Sequence, residues 1–139
     1  AINTPARGVF IYTNSKNFSK RKALEERGAT VIVLPDSESL INASKKVNLR
    51  LVMQDLAERE INELHVEAGA TLNGALLSEG LVDEFLIYLA PKLIGSGRGM
   101  ADFEPLTDLT QVLPLDFVSV DKVGPDLRLL ARVTGRDVF

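Results

Sequence analysis

The residues from Glu67 to Ala75 combine one carboxylate, two glycines and a set of small or polar side chains between a β-rich run and a helix-forming run. In an open α/β sheet, the turn after a strand's carboxyl end is where ligands bind. Gly69 and the flanking alanines let a ligand approach the backbone closely. The helix start offers free N–H groups and a partial positive charge to a pyrophosphate. Glu67, at the end of the preceding run, is placed to hydrogen-bond hydroxyls or a ring nitrogen of a substrate. The same pattern also fits an ordinary tight turn with a solvated carboxylate.

A second candidate spans Thr13 to Lys22. It carries four of the chain's 16 basic residues, with hydroxyl side chains between them. Such a loop suits an additional phosphate on a dinucleotide. It equally suits the exposed start of a helix.

Other patterns fail on inspection. Gly95-Ser96-Gly97-Arg98-Gly99-Met100 is not a dinucleotide-binding fingerprint, because Met100 stands where the last glycine is needed. Gly69 to Gly74 has the spacing of a phosphate-binding loop, but Ala75-Leu76 replaces its Lys-Ser/Thr. His65-Val66-Glu67 matches half of a zinc-deaminase motif, yet the chain has no cysteine to complete it. His65 is the sole histidine and reads as a strand residue. No serine–histidine–aspartate triad is readable, no metal site is expected, and no catalytic acid can be assigned.

The elements that must position these residues follow from periodicity. Gly8 to Thr13 predicts a buried strand, and Lys20 to Arg27 a helix stopped by Gly28. Thr30 to Leu34 predicts a second strand closed by Pro35, and residues 36–47 are polar and ambiguous. From Leu49 to Glu60, apolar Leu49, Val52, Met53 and Leu56 line one helix face. Glu63 to Glu67 predicts a third strand. Thr71 then caps a helix that turns Leu72, Ala75 and Leu76 inward and ends at Gly80. Phe85 to Ala90 is continuously apolar and predicts a central strand buried on both faces. Phe117 to Val123, Gly124-Pro125-Asp126 and Leu127 to Val133 predict a hairpin. The order gives an α/β fold: three αβα layers, a mostly parallel central sheet and an antiparallel C-terminal edge.

Composition narrows the class. The 139 residues fit one domain, with a core that needs no disulfide. A net charge of −3 gives no global field toward nucleic acid or anionic membrane, so neither partner is expected. No apolar stretch is long enough to span a bilayer. No signal peptide is readable, which fits a cytoplasmic location. The chain opens on Ala1 and reads as a processed or trimmed product.

Three segments together carry a resemblance. Val66-Glu67-Ala68-Gly69-Ala70-Thr71-Leu72-Asn73-Gly74-Ala75-Leu76-Leu77 is followed by Gly80-Leu81-Val82-Asp83-Glu84, and then by Tyr88-Leu89-Ala90-Pro91-Lys92-Leu93-Ile94-Gly95. In that order they resemble the signature of the reductase domain of the riboflavin-biosynthesis deaminase/reductase family: V-E-G/A-G-x-x-L-x-x-x-L-L, G-L-V-D-E and Y-x-A-P-x-L-x-G. A weaker likeness runs from about Gly8 to Val133. Ala68 stands where the family commonly has glycine.

The resemblance implies a dihydrofolate-reductase-like fold and NADPH-dependent reduction of 5-amino-6-(5-phosphoribosylamino)uracil to its ribitylamino product. The substrate is thus a small phosphorylated pyrimidine. By the same resemblance, Glu67 contacts substrate. Gly69, Ala70, Thr71, Leu72, Asn73, Gly74 and Ala75 contact the cofactor, with Thr13, Asn14 and Ser15 nearby. A homo-oligomer is implied. The family's zinc-dependent deaminase domain and first reductase strand have no counterpart in the chain, so this piece alone is expected to associate and not to turn over substrate. Two other readings stay open: a non-catalytic nucleotide-binding or dimerisation module, and a related reductase with a dihydrofolate-type substrate.

Overall fold

The computed structural model describes residues 8–34, 46–103 and 107–136. They fall into two compact units, Ala1–Leu64 and His65–Phe139.

In the first unit, β-branched and aromatic residues form β1 (Val9–Thr13) and β2 (Ala29–Val33). The two strands pair in parallel, with Val9 opposite Ala29 and Thr13 opposite Val33. Helix α1 (Phe18–Glu25) connects them. It starts two residues earlier than its apolar pattern suggests, because the side chain of Asn17 accepts a hydrogen bond from the Lys20 N–H and caps it there. Gly28, at φ 87°, turns the chain into β2.

Helix α2 (Leu49–Glu58) is capped in the same way by Asn48, which accepts from Leu51 N–H at 3.2 Å. It is tied to β1 through a polar cluster. The Tyr12 hydroxyl donates to Asp55 at 2.6 Å, and Arg59 donates to both oxygens of the same carboxylate. Arg59 also lies 4.8 Å from the centre of the Phe10 ring. Its hydrogen bonds, and then that of Tyr12, hold the Asp55 carboxyl below its ordinary pKa.

In the second unit, helix α3 (Ala70–Ser78) precedes β3 (Glu84–Leu89). After a short 3-10 turn at Leu109–Gln111 come β4 (Leu115–Val123) and β5 (Asp126–Val133). The three strands form an antiparallel sheet in the order β3-β5-β4. The β4–β5 hairpin closes through Gly124-Pro125, with Gly124 at φ 60° as first central residue. Val118 is an extra residue in β4, a bulge between Phe117 and Ser119.

The pairing divides the sheet into two chemically distinct faces. Phe85, Ala131 and Phe117 line up across one face, followed by Ile87, Leu129 and Val120. The other face carries the ion pairs Arg128–Asp121 at 2.8 Å and Arg132–Glu84 at 2.9 Å. The buried apolar side chains of this unit are Leu76, Leu77, Ala131 and Val133.

Five expectations need correction. Gly8 to Thr13 holds β1, but none of it is buried, and Val9 and Phe10 are exposed. Glu63 to Glu67 forms no strand: the segment is exposed and without ladder partners among the described residues. Its alternating composition is strand-like, but a strand requires a neighbour to accept its N–H groups. Phe85 to Leu89 lies in an edge strand of its sheet, with Leu86, Tyr88 and Leu89 exposed, Ala90 falls just past the strand's end, and β5 holds the centre instead. One of the three strand pairings is parallel, so the described sheets are not mostly parallel. Leu72 is exposed at the first turn of α3, whereas Leu76 is buried. Pro35 and most of residues 36–47 lie outside the described residues.

Helices α2 and α3 end alike. At α3, Gly80 N–H reaches Leu77 O and Leu81 N–H reaches Leu76 O. At α2, Glu60 N–H reaches Ala57 O and Ile61 N–H reaches Leu56 O. Both are Schellman turns, which need a left-handed residue. Gly80 supplies it at φ 66°, whereas Glu60 is forced to φ 62° with a side chain attached. Glu60→Gly should therefore stabilise the fold by about 1 kcal/mol. A melting temperature at or below that of the parent would contradict this.

Candidate functional site

The centre of the site is the start of α3. Its N-cap is Gly69, at φ −84° and ψ 171°, and no side chain caps the helix. The sequence points to Thr71 as the cap, but Thr71 sits inside the first turn. The first main-chain bond of the helix runs from Asn73 N–H to Gly69 O at 3.1 Å. Among the described residues, the N–H groups of Ala70, Thr71 and Leu72 therefore have no acceptor, as any uncapped helix start leaves them. A Cβ built on Gly69 would meet no atom within 4 Å. The turn thus presents three unpaired donors behind an unobstructed glycine N-cap, which suits an anion.

The residues that follow are held from one side by the end of the Gly95–Met100 stretch, rejected above as a fingerprint, and by Asp102, which sequence reasoning did not single out. Asp102 N–H donates to Ala70 O at 2.9 Å. The Thr71 hydroxyl donates to the Asp102 carboxylate at 3.0 Å. Asn73 Nδ2 donates to Met100 O at 2.8 Å and, at 3.4 Å, to Ala68 O. Gly74 is buried against the Asp102 backbone, and Ala75 is half-buried. Gly69, Thr71 and Leu72 are therefore the exposed members of the predicted cofactor set. Asn73 and Gly74 are engaged with the loop. No spacing rule marks Asp102, because its contact depends on a chain reversal at a sequence separation of 31 residues.

Glu67 stands two residues before Gly69, its side chain 88% exposed. Among the described residues its one ion-pair contact is His65 Nε2 at 3.6 Å, which is attractive only when the imidazole is protonated. The carboxylate is free to accept hydrogen bonds from another molecule.

Thr13, Asn14 and Ser15 belong to the first unit, at the carboxyl end of β1. They form a relay of local turns. Thr13 Oγ1 accepts from Ser15 N–H at 3.0 Å, and Ser15 Oγ accepts from Asn17 N–H at 3.3 Å. Asn14 Nδ2 donates to Lys46 O at 3.3 Å. Each hydroxyl has spent an acceptor site on the backbone and keeps its hydrogen to donate. Exposed Lys16 and Lys20 flank them. Hydroxyl donors beside ammonium groups suit a phosphate, which only accepts.

A family model described as the RibD C-terminal domain matches residues 2–129. The chain belongs to this family. Over 84 residues it is 44% identical to the riboflavin biosynthesis protein RibD of Escherichia coli, covering 60% of this chain and 23% of that protein. It is 35% identical over 88 residues to the 5-amino-6-(5-phosphoribosylamino)uracil reductase of Buchnera aphidicola, covering 63% of this chain and 42% of the relative. Among solved structures, RibD of Acinetobacter baumannii superposes with a TM-score of 0.72 at 26% identity, over 91% of this chain and 31% of that one. The fold is thus that of RibD reductases, an α/β fold with parallel and antiparallel strands. The chain spans less than half the length of these relatives. Among the described residues, no helix is long and apolar enough to cross a membrane, and no cluster of residues could hold a metal ion.

Proposed function

We propose that this chain is the cofactor-binding part of an NADPH-dependent reductase that converts 5-amino-6-(5-phosphoribosylamino)uracil to its ribitylamino product in riboflavin biosynthesis. The observation that carries the reading is the open start of α3: three unpaired N–H groups behind a glycine N-cap, in a RibD C-terminal domain. The donors fit a dinucleotide pyrophosphate in charge, direction and access. NADPH, when bound, supplies a hydride to C1′ of the opened sugar or its imine.

The protein's own task is placement. Gly69 with Ala70, Thr71 and Leu72 receives the pyrophosphate. Thr13, Ser15 and Lys16 receive the additional phosphate that separates NADPH from NADH. Glu67 accepts hydrogen bonds from the substrate, which is a phosphorylated pyrimidine. In the assembled reductase we place the chain in a cytoplasmic homo-oligomer. Association is supported by the apolar face of the antiparallel sheet, where Phe117 is 67% and Val120 56% exposed.

Two substitutions in the full-length protein test these assignments. Gly69→Asp places a carboxylate where the pyrophosphate should sit and gives α3 a side-chain cap. Folding stability should rise by a few tenths of a kcal/mol. NADPH affinity, followed by fluorescence titration, should fall about tenfold or more, or at least about 1.4 kcal/mol. Unchanged affinity in the folded variant would reject the cofactor turn. Glu67→Gln keeps shape and loses charge. It should lower kcat/KM for the pyrimidine by about tenfold, the loss of one charge-assisted hydrogen bond, with NADPH binding kept. Parental kinetics would make Glu67 a bystander.

A further inference from the structure

Residues 91–100 are exposed throughout, a stretch with glycines at 95, 97 and 99 and Arg98 among them. At its far end the stretch is fastened to the first turn of α3. The fastening has two parts. One is polar: Asp102 N–H to Ala70 O, Thr71 hydroxyl to the Asp102 carboxylate, and Asn73 Nδ2 to Met100 O. The other is steric. A Cβ on Gly74 would lie 1.9 Å from Asp102 O, 2.7 Å from its carbonyl carbon and 2.9 Å from its nitrogen. These are backbone atoms, which cannot rotate aside, so any side chain at this position displaces the loop.

Glycine in the middle of a helix is unfavourable in itself, because alanine forms helix better. In α3 it also follows directly on the turn whose N–H groups are unpaired. The helix thus carries a locally unfavourable residue at the one place where the Asp102 backbone must come close.

We propose that Gly74, Asn73 and Asp102 form a clamp that sets the loop from Gly95 to Phe103 against the start of α3, and that the clamp positions the cofactor site. Gly74 and Asp102 act here as positioning residues. They hold the first turn and its neighbouring loop in the arrangement that receives the dinucleotide. The inference rests on the cofactor reading of α3 and deepens it.

The test uses the full-length protein and three readouts: thermal unfolding, trypsin cleavage after Arg98 followed by mass, and NADPH titration by fluorescence. Gly74→Ala should lower the melting temperature, because better helix propensity does not offset an overlap with backbone atoms and the lost ties to the loop. Cleavage after Arg98 should quicken as the loop comes away. The dissociation constant for NADPH should rise about tenfold, since a preformed site tolerates little misplacement. A role in stability alone would lower the melting temperature and leave binding intact. Asn73→Ala removes the tie to Met100 without adding an atom beside Asp102. It should move cleavage and binding in the same directions by less, and it serves if Gly74→Ala does not fold. If the parent protein binds NADPH and the folded variants bind it equally well, the clamp has no part in cofactor binding and the proposal is overturned, whatever the cleavage rate. If the parent itself fails to bind NADPH, it is the cofactor reading of α3 that falls.

Discussion

The start of an α-helix leaves backbone donors that something must satisfy, and at α3 no side chain among the described residues does so. Gly69 contributes no capping side chain, and the N–H groups of Ala70, Thr71 and Leu72 meet no acceptor among the described residues. Asn17 and Asn48 show the alternative: both cap their helices with a side-chain oxygen. The difference between the three helix starts is chemical. Two are closed by a side-chain oxygen, and the third has no side-chain cap.

An open helix start is useful only if it is held still. Around α3 this is done by main-chain groups more than by charge. The Met100 and Ala70 carbonyls and the Asp102 N–H carry two of the three bonds to the loop, and the close approach at Gly74 completes the fit. In the other unit, stiffness comes from a polar cluster. Tyr12, Asp55 and Arg59 bind β1 to α2 beside the Thr13–Ser15 turn. The depressed pKa of Asp55 follows from that cluster. A carboxylate held ionised in the folded protein contributes stability above its ordinary pKa, lost as pH falls through the folded value.

Much of this was legible in the residue order. Glycines and asparagines punctuate the helices, and the period of Leu49, Val52, Met53 and Leu56 announces α2. The hairpin is marked by Gly124-Pro125. Of the candidate site, the turn at Gly69 stood out because small residues between a β-rich and a helical run have a physical meaning. What was not legible depends on distant partners. Glu63 to Glu67 has strand composition but no ladder, and Phe85 to Leu89 has core composition but an edge position. Hydrophobic runs record what a side chain tolerates, not which backbone lies alongside. The same limit hid Asp102, whose side chain says nothing of the helix it will meet.

The bulge at Val118 has a consequence for crowded solution. Strand β4 is an edge of nine residues with apolar side chains on display, the kind of strand that invites sheet-to-sheet polymerisation. The extra residue puts the outward N–H and C=O groups before Val118 out of phase with those after it. A straight foreign strand can then match Leu115–Phe117 or Ser119–Val123, but not the whole edge at once. The strand keeps its apolar surface while refusing the long, regular ladder on which fibrils grow.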